Sequence, residues 1–320
     1  MLLSGLLRNH SLNETICTTP VSRDYRIGWL DHHNDYKDTA MKSKSSILII
    51  GDSIASGLTR YQDIWYKYFG KDRTLNFGIP GDHIEHVLWR IIDITLPDTL
   101  KYVIVHSGTN NLSKNSPKDI ADGILASGYK LLEKKPDLKV ILSGILPRSH
   151  IGSSIREKIG IINQTLFDSC CNNNSLFYLS HGNDWLEPNG ELNTNLYYSD
   201  KLHLAKEGNL RLAKNFKKSI SVIDKTSAIQ GNTSLKYSEC LSKELISRDE
   251  DFPPLTVTKL TSKTSLSKKK DTMYHTSMLY SNRLKANIHR KCKETSSQTH
   301  LKKKKQASSS YHQNHHLHCQ

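Results

Sequence analysis

Five short apolar runs, separated by stretches of helical spacing, constrain this chain more than any other feature. They are Ile47–Ile50, Thr74–Phe77, Tyr102–Val105, Val140–Leu142 and Leu176–Leu179. Runs of this length, closed by Gly51, Gly78 or Gly144, read as parallel strands buried on both faces. Between them, Leu58–Phe69, Ile84–Ile91, Ile120–Leu132, Ile155–Phe167 and Leu204–Ile220 carry helical periodicity. Ser116-Pro117 opens one of these helices as N-cap and first-turn proline. The alternation specifies an α/β chain with a doubly wound, mainly five-stranded parallel sheet. Residues 1–45 read as a polar, irregular N-terminal extension with Trp29 as its one large anchor, and residues 46–223 as the sheet domain. After Ile223 the pattern fails, and Ser, Thr and Lys dominate residues 224–320. A segment so poor in apolar side chains cannot offset its ordering entropy, so it reads as a disordered tail.

Charge follows the same division. From Thr226 to Gln320 there are 17 Lys/Arg and 7 Asp/Glu, which carry +10 of the chain's +14. The basicity therefore belongs to the tail, with its runs Lys268–Lys270 and Lys302–Lys305. Such a tail suits nonspecific binding to nucleic acid or another anionic surface, though no aromatics interleave the lysines. Six cysteines (Cys17, Cys170, Cys171, Cys240, Cys292 and Cys319) form no regular framework, which favours a reducing, cytoplasmic setting over a disulfide scaffold. Leu2–Leu7 is apolar but is cut short by Arg8 and lacks a basic lead, so no signal peptide is read there. No run is long enough to span a membrane. Asn13-Glu14-Thr15 and Asn163-Gln164-Thr165 match glycosylation sequons, which carry little weight without a secretory signal. His315, His316, His318 and Cys319 crowd the terminus, but their spacing fits no closed structural zinc site.

Sheets of this type place their sites beyond the carboxyl ends of the strands. Ser53, Gly78, Gly108 and Asn110 each follow a strand closely. Ser53, in Gly51-Asp52-Ser53, would sit where the first strand turns into a helix, whose N-terminus favours developing negative charge. A serine hydroxyl needs a base, and His203 in Asp200-Lys201-Leu202-His203 is the candidate, with Asp200 close enough to orient the ring. Backbone N–H groups of Ser53 and Gly78 and the Asn110 side-chain amide are the candidate oxyanion donors. Each residue also has a plainer reading: Asp52-Ser53 as a helix cap, Gly78 as a strand-end turn, Asn110 as a loop cap, Asp200–His203 as a surface turn. Asp82 and Asn111 read as loop braces, Trp89 as core, and Arg148 as a loop residue or member of a surface ion pair ahead of a substrate-binding group. No metal or cofactor signature appears.

Gly51-Asp52-Ser53, Gly78, Gly108-Thr109-Asn110 and Asp200-x-x-His203 resemble the blocks of the SGNH (GDSL-like) hydrolase superfamily. Leu75–Asp82, His86–Arg90, Gly144–Arg148 and Arg156-Glu157-Lys158 are similar to the catalytic subunits of platelet-activating factor acetylhydrolase type Ib. That subfamily has Gly where this chain has Pro80, and its compact subunits have no counterpart to the basic tail. The resemblance implies a flavodoxin-like fold and catalysis by Ser53, Asp200 and His203 without cofactor or metal. It further implies acetyl-ester hydrolysis, homodimers and docking to a WD-repeat partner. Two other readings stand beside this one: a nucleic-acid-associated protein with a retrotransposon-type esterase domain, and a catalytically silent interaction subunit.

Overall fold

The computed structural model describes residues 15–70, 73–171 and 173–229, the last four of these by backbone alone. Strands β1 (Ile47–Gly51), β2 (Thr74–Gly78), β3 (Tyr102–His106), β4 (Lys139–Ser143) and β5 (Leu176–Leu179) form one sheet in the order β2-β1-β3-β4-β5. Every pairing is parallel. The chain reverses its direction of winding between β1 and β3, and in such sheets that crevice is where ligands bind.

Two layers of helices explain why the strand runs are continuously apolar. Side chains alternate between the two faces of a strand. Leu48, Ile50, Val103, Val105, Val140 and Leu142 face one core, while Ile47, Ile49, Ile104 and Ile141 face the other. The first core is completed by α4 (Ile84–Asp93), α5 (Pro117–Lys134) and α6 (Ser154–Cys170). The second is closed by α2 (Ser53–Gly57), α3 (Gln62–Phe69) and α7 (Lys206–Ile229).

Three helical expectations are corrected. Part of the segment read as an irregular extension forms α1 (Trp29–Lys42), and Cys17, Tyr36 and Ala40 pack into the first core. The stripe of α1 is Trp29, His33, Tyr36 and Ala40, a helical period carried by polar-tipped side chains rather than aliphatic ones. The helix expected over Leu58–Phe69 is two helices, because backbone bonds from Leu58, Thr59 and Arg60 back to Ala55, Ser56 and Gly57 form a turn before α3 starts at Gln62. Helix α7 starts at Lys206 rather than Leu204, which instead bridges to Tyr197, and it runs past the expected boundary at residue 223. The lysine runs, the terminal His/Cys cluster, the Asn13 sequon and the tail from residue 230 lie outside the described residues. No helix among the described residues is long and apolar enough to cross a membrane. Asn163 spends both ends of its amide on the backbone of Ile145, at 2.8 and 2.9 Å.

Candidate active site

Asp52 ends β1 by capping α2: its Oδ1 accepts from Ile54 N at 2.9 Å, which fixes Ser53 as the first helical residue. The other half of the site comes from the loop before α7. Lys201 adopts a left-handed conformation (φ 55°), and Tyr198 N bonds His203 O at 2.8 Å, so the loop folds back on itself. Asp200 Oδ1 accepts the N–H groups of Leu202 and His203, each at 3.0 Å. Its Oδ2 lies 2.6 Å from His203 Nδ1, and His203 Nε2 lies 3.0 Å from Ser53 Oγ. The three side chains thus form one line. Burial raises the pKa of the Asp200 carboxyl, but bonds from the His203 ring and from the two N–H groups outweigh it and hold the pKa below the ordinary value. An ionised Asp200 accepts a hydrogen bond from Nδ1–H, which leaves Nε2 to accept from the serine hydroxyl. His203 and Asp200 remain partly open to solvent.

The proposed donors around Ser53 differ in their availability. Ser53 N–H has no protein partner among the described residues. Asn110 Nδ2 uses one proton on Asp82 O at 2.8 Å and keeps a second. Gly78 is a correction: its N–H already donates to Asn76 Oδ1 at 3.0 Å. Its missing side chain serves packing instead, since a Cβ there would lie 2.2 Å from Ser56 N. A candidate donor absent from the sequence expectations is Gly81, three residues on. Gly81 has φ 79° and an N–H without a protein partner, and it adjoins the Asp82 carbonyl that Asn110 holds. The available signal was a glycine placed between Pro80 and Asp82, where a turn requires positive φ.

Beneath these groups lies a buried ion pair. Arg90 Nε and Nη2 bond Asp82 Oδ2 at 2.9 and 2.8 Å. Arg90 Nη1 and Nη2 also donate to Phe77 O and Gly51 O, at 2.7 and 2.8 Å, so one guanidinium ties together the ends of β1 and β2. Asp82 Oδ1 accepts from Trp29 Nε1 at 2.7 Å. Asp82 therefore braces the site as expected, from α1 as well as α4. Asn111 braces too: its Oδ1 takes Ile84 N at 3.0 Å and its Nδ2 reaches Glu85 at 2.9 Å. Trp89 is half-buried against Trp29, with ring centroids 5.5 Å apart. Arg148 sits on Thr109 and forms no ion pair among the described residues. Among the described residues, no group of three His, Cys, Asp or Glu is placed to hold a metal.

Residues 49–211 match the profile of the GDSL-like lipase/acylhydrolase family. The chain belongs to this family. Among curated relatives, it is 32% identical over 157 residues to the platelet-activating factor acetylhydrolase IB subunit beta homolog of Drosophila melanogaster, covering 48% of this chain and 69% of that one. It is 34% identical over 139 residues to the human IB subunit alpha2, covering 43% of this chain but 60% of the relative's length. A GDSL-like lipase from Bacteroides thetaiotaomicron superposes with a TM-score of 0.50 at 18% identity, over 61% of this chain and 98% of that one. The superposition bears on the fold: a GDSL-type parallel sheet between helical layers.

Proposed function

We propose that this GDSL-family chain is a serine esterase that removes short acyl groups, acetyl first among them. The carrying observation is the Ser53–His203–Asp200 line at 3.0 and 2.6 Å. As Ser53 Oγ attacks the ester carbonyl, its proton passes to His203 Nε2, and Asp200 stabilises the imidazolium that forms. The oxyanion is met by the N–H groups of Ser53 and Gly81 and by the second Asn110 amide proton. Collapse expels the alcohol, which takes the proton back from His203. Water then repeats the sequence on the acyl-Ser53 ester and releases the acid. Support for acetyl comes from the relatives, which are named as acetylhydrolase subunits. The buried thiols of Cys17 and Cys170, in no disulfide among the described residues, suit a reducing compartment.

The test is hydrolysis of p-nitrophenyl acetate and longer acyl esters by wild type, Ser53→Ala and His203→Ala. Wild type should turn over the acetate and label at Ser53 with a fluorophosphonate. Both variants should lose about 10⁴-fold or more in kcat. Equal rates in wild type and Ser53→Ala would remove the esterase reading and leave the silent interaction subunit.

A further inference from the structure

After β4 the chain crosses the carboxyl edge of the sheet through residues 144–150, and this crossing is held more firmly than a connecting loop requires. Tyr197, from the loop that carries Asp200 and His203, donates its hydroxyl to Pro147 O at 2.8 Å. Arg156 of α6 reaches back to Arg148 O at 3.4 Å and Ser149 O at 2.9 Å, and its third bond goes to Gly190 O at 3.3 Å. Ser149 has φ 69°, a strained conformation for a side-chain-bearing residue. Such strain persists only where the surroundings over-determine it, and it clusters where a side chain must be presented in one place.

The side chain presented is Arg148. Its Nη1 rests on Thr109 O and Oγ1, at 3.3 and 3.2 Å, beside the Asn110 donor. Its remaining N–H groups, on Nε and Nη2, have no protein partner among the described residues, and neither atom is sealed from solvent. No described carboxylate lies within ion-pair distance, although the guanidinium is half-buried. Burial lowers its pKa, while the charges of Asp200 and Asp52 act in the opposite direction, which places the group in the field of the reacting residues. A half-desolvated guanidinium without a counter-ion, with donors unspent, is arranged for an oxyanion that arrives from outside, since arginine's planar fork matches carboxylate and phosphoryl groups two bonds at a time.

We propose that Arg148 determines specificity by binding an anionic group, carboxylate or phosphoryl, on the alcohol portion of the ester. The inference rests on the esterase reading: a short acyl group has no room for a charge of its own, so the anion must belong to the part that leaves. A residue that only braced Thr109 would act on every ester alike.

The experiment compares kcat/KM for the acetyl monoesters of ethylene glycol, glycolate and 2-hydroxyethyl phosphate in wild type, Arg148→Gln and Arg148→Lys. Wild type should favour at least one anionic ester over the neutral one by about 10-fold or more, and the two anionic arms show which oxyanion fits. In Arg148→Gln the anionic-to-neutral ratio should fall by about 10- to 100-fold, with Arg148→Lys between, because a point charge keeps attraction but loses the fork. A wild-type ratio near one, or a Gln variant that slows all three esters in proportion, overturns the proposal. A second readout does not need turnover: inorganic phosphate, against chloride at equal ionic strength, should raise the melting temperature of wild type more than that of Arg148→Gln. No phosphate shift in wild type overturns the anion site, whereas no hydrolysis of any ester with the shift intact overturns only the esterase reading.

Discussion

Asp52 is the residue of the site least comfortable as an anion. It is fully buried, its Oδ1 holds Ile54 N, and its Oδ2 has no partner. Burial pushes its pKa up to about 7, against the lowering by the Ile54 hydrogen bond, and the charge of Asp82 adds to the rise. Between the ordinary value of 3.8 and about 7, the folded protein holds a proton that the unfolded chain has released. The contribution of Asp52 to stability is therefore fully present below pH 4 and is lost as pH rises through that window, on the order of 4 kcal/mol in all. Asp52→Asn keeps an Oδ1 acceptor and has no proton to lose. The variant should gain on wild type steadily from pH 4 to pH 8 in denaturant titrations, and a gap that does not change with pH would disprove the assignment. The same carboxylate caps α2 and so sets Ser53, which explains why an acid is tolerated there.

At the scale of elements, two glycines in the β2–α4 connection have opposite duties. Gly78 lets the end of β2 touch α2, where an added Cβ would strike Ser56 N at 2.2 Å, a backbone atom that cannot swing aside. Gly78→Ala should destabilise the fold by roughly 1–3 kcal/mol, as overpacking does. At Gly81 a Cβ would first meet the guanidinium ends of Arg26 and Arg23, at 2.8 and 3.1 Å, and the demand there is for positive φ. Gly81→Ala should cost only about 1 kcal/mol in stability, yet lower kcat by about 10²-fold as its N–H turns away from the oxyanion. Melting curves and kcat measured side by side on both variants check this, and the reverse pattern would return the donor role to Gly78. Arg90 is the beam behind both, because it holds the Gly51 carbonyl at the end of β1 and the Phe77 carbonyl near the end of β2 at once.

The whole molecule carries a second buried polar device, and its first member, His106, accepts the Asp52 N–H on its carbonyl at 3.4 Å. Under α7, His106 Nδ1 lies 2.7 Å from Ser143 Oγ, which lies 2.8 Å from His181 Nε2, and Asn215 Nδ2 is 3.3 Å from His181 Nδ1. Burial pushes His106 down to about 4; burial, joined by the neighbouring His106, pushes His181 down to about 3. Both stay neutral in the fold but take up protons near pH 6.5 once unfolded. Their contribution is full above pH 6.5 and is lost as pH falls toward 4. Asp52 works in the opposite sense over part of the same range, while His86, which burial pushes down to about 4, works in the same sense as the pair. The His181 proton by itself should lower stability by about 1.4 kcal/mol for each pH unit of fall from pH 6 to 4. His181→Gln should flatten that slope, and an unchanged slope would show that the chain of imidazoles is not what titrates.

By itself the sequence determined the architecture and the candidate trio of Ser53, Asp200 and His203. Strand runs buried on both faces must be apolar throughout, and Asp200 and His203 need only a local turn to meet, so both leave a mark in one dimension. Helix α1 left a fainter one, because Trp29, His33 and Tyr36 make its stripe with polar-tipped rings that bond Asp82, Asp93 and Gly78. Tertiary structure alone decided which N–H groups remain unspent. Gly78 and Gly81 look equally suitable on paper until the Asn76 side chain takes one of them. It also decided that Arg148 has no carboxylate of its own among the described residues, since a counter-charge is set by segments far apart in the chain that only folding brings together.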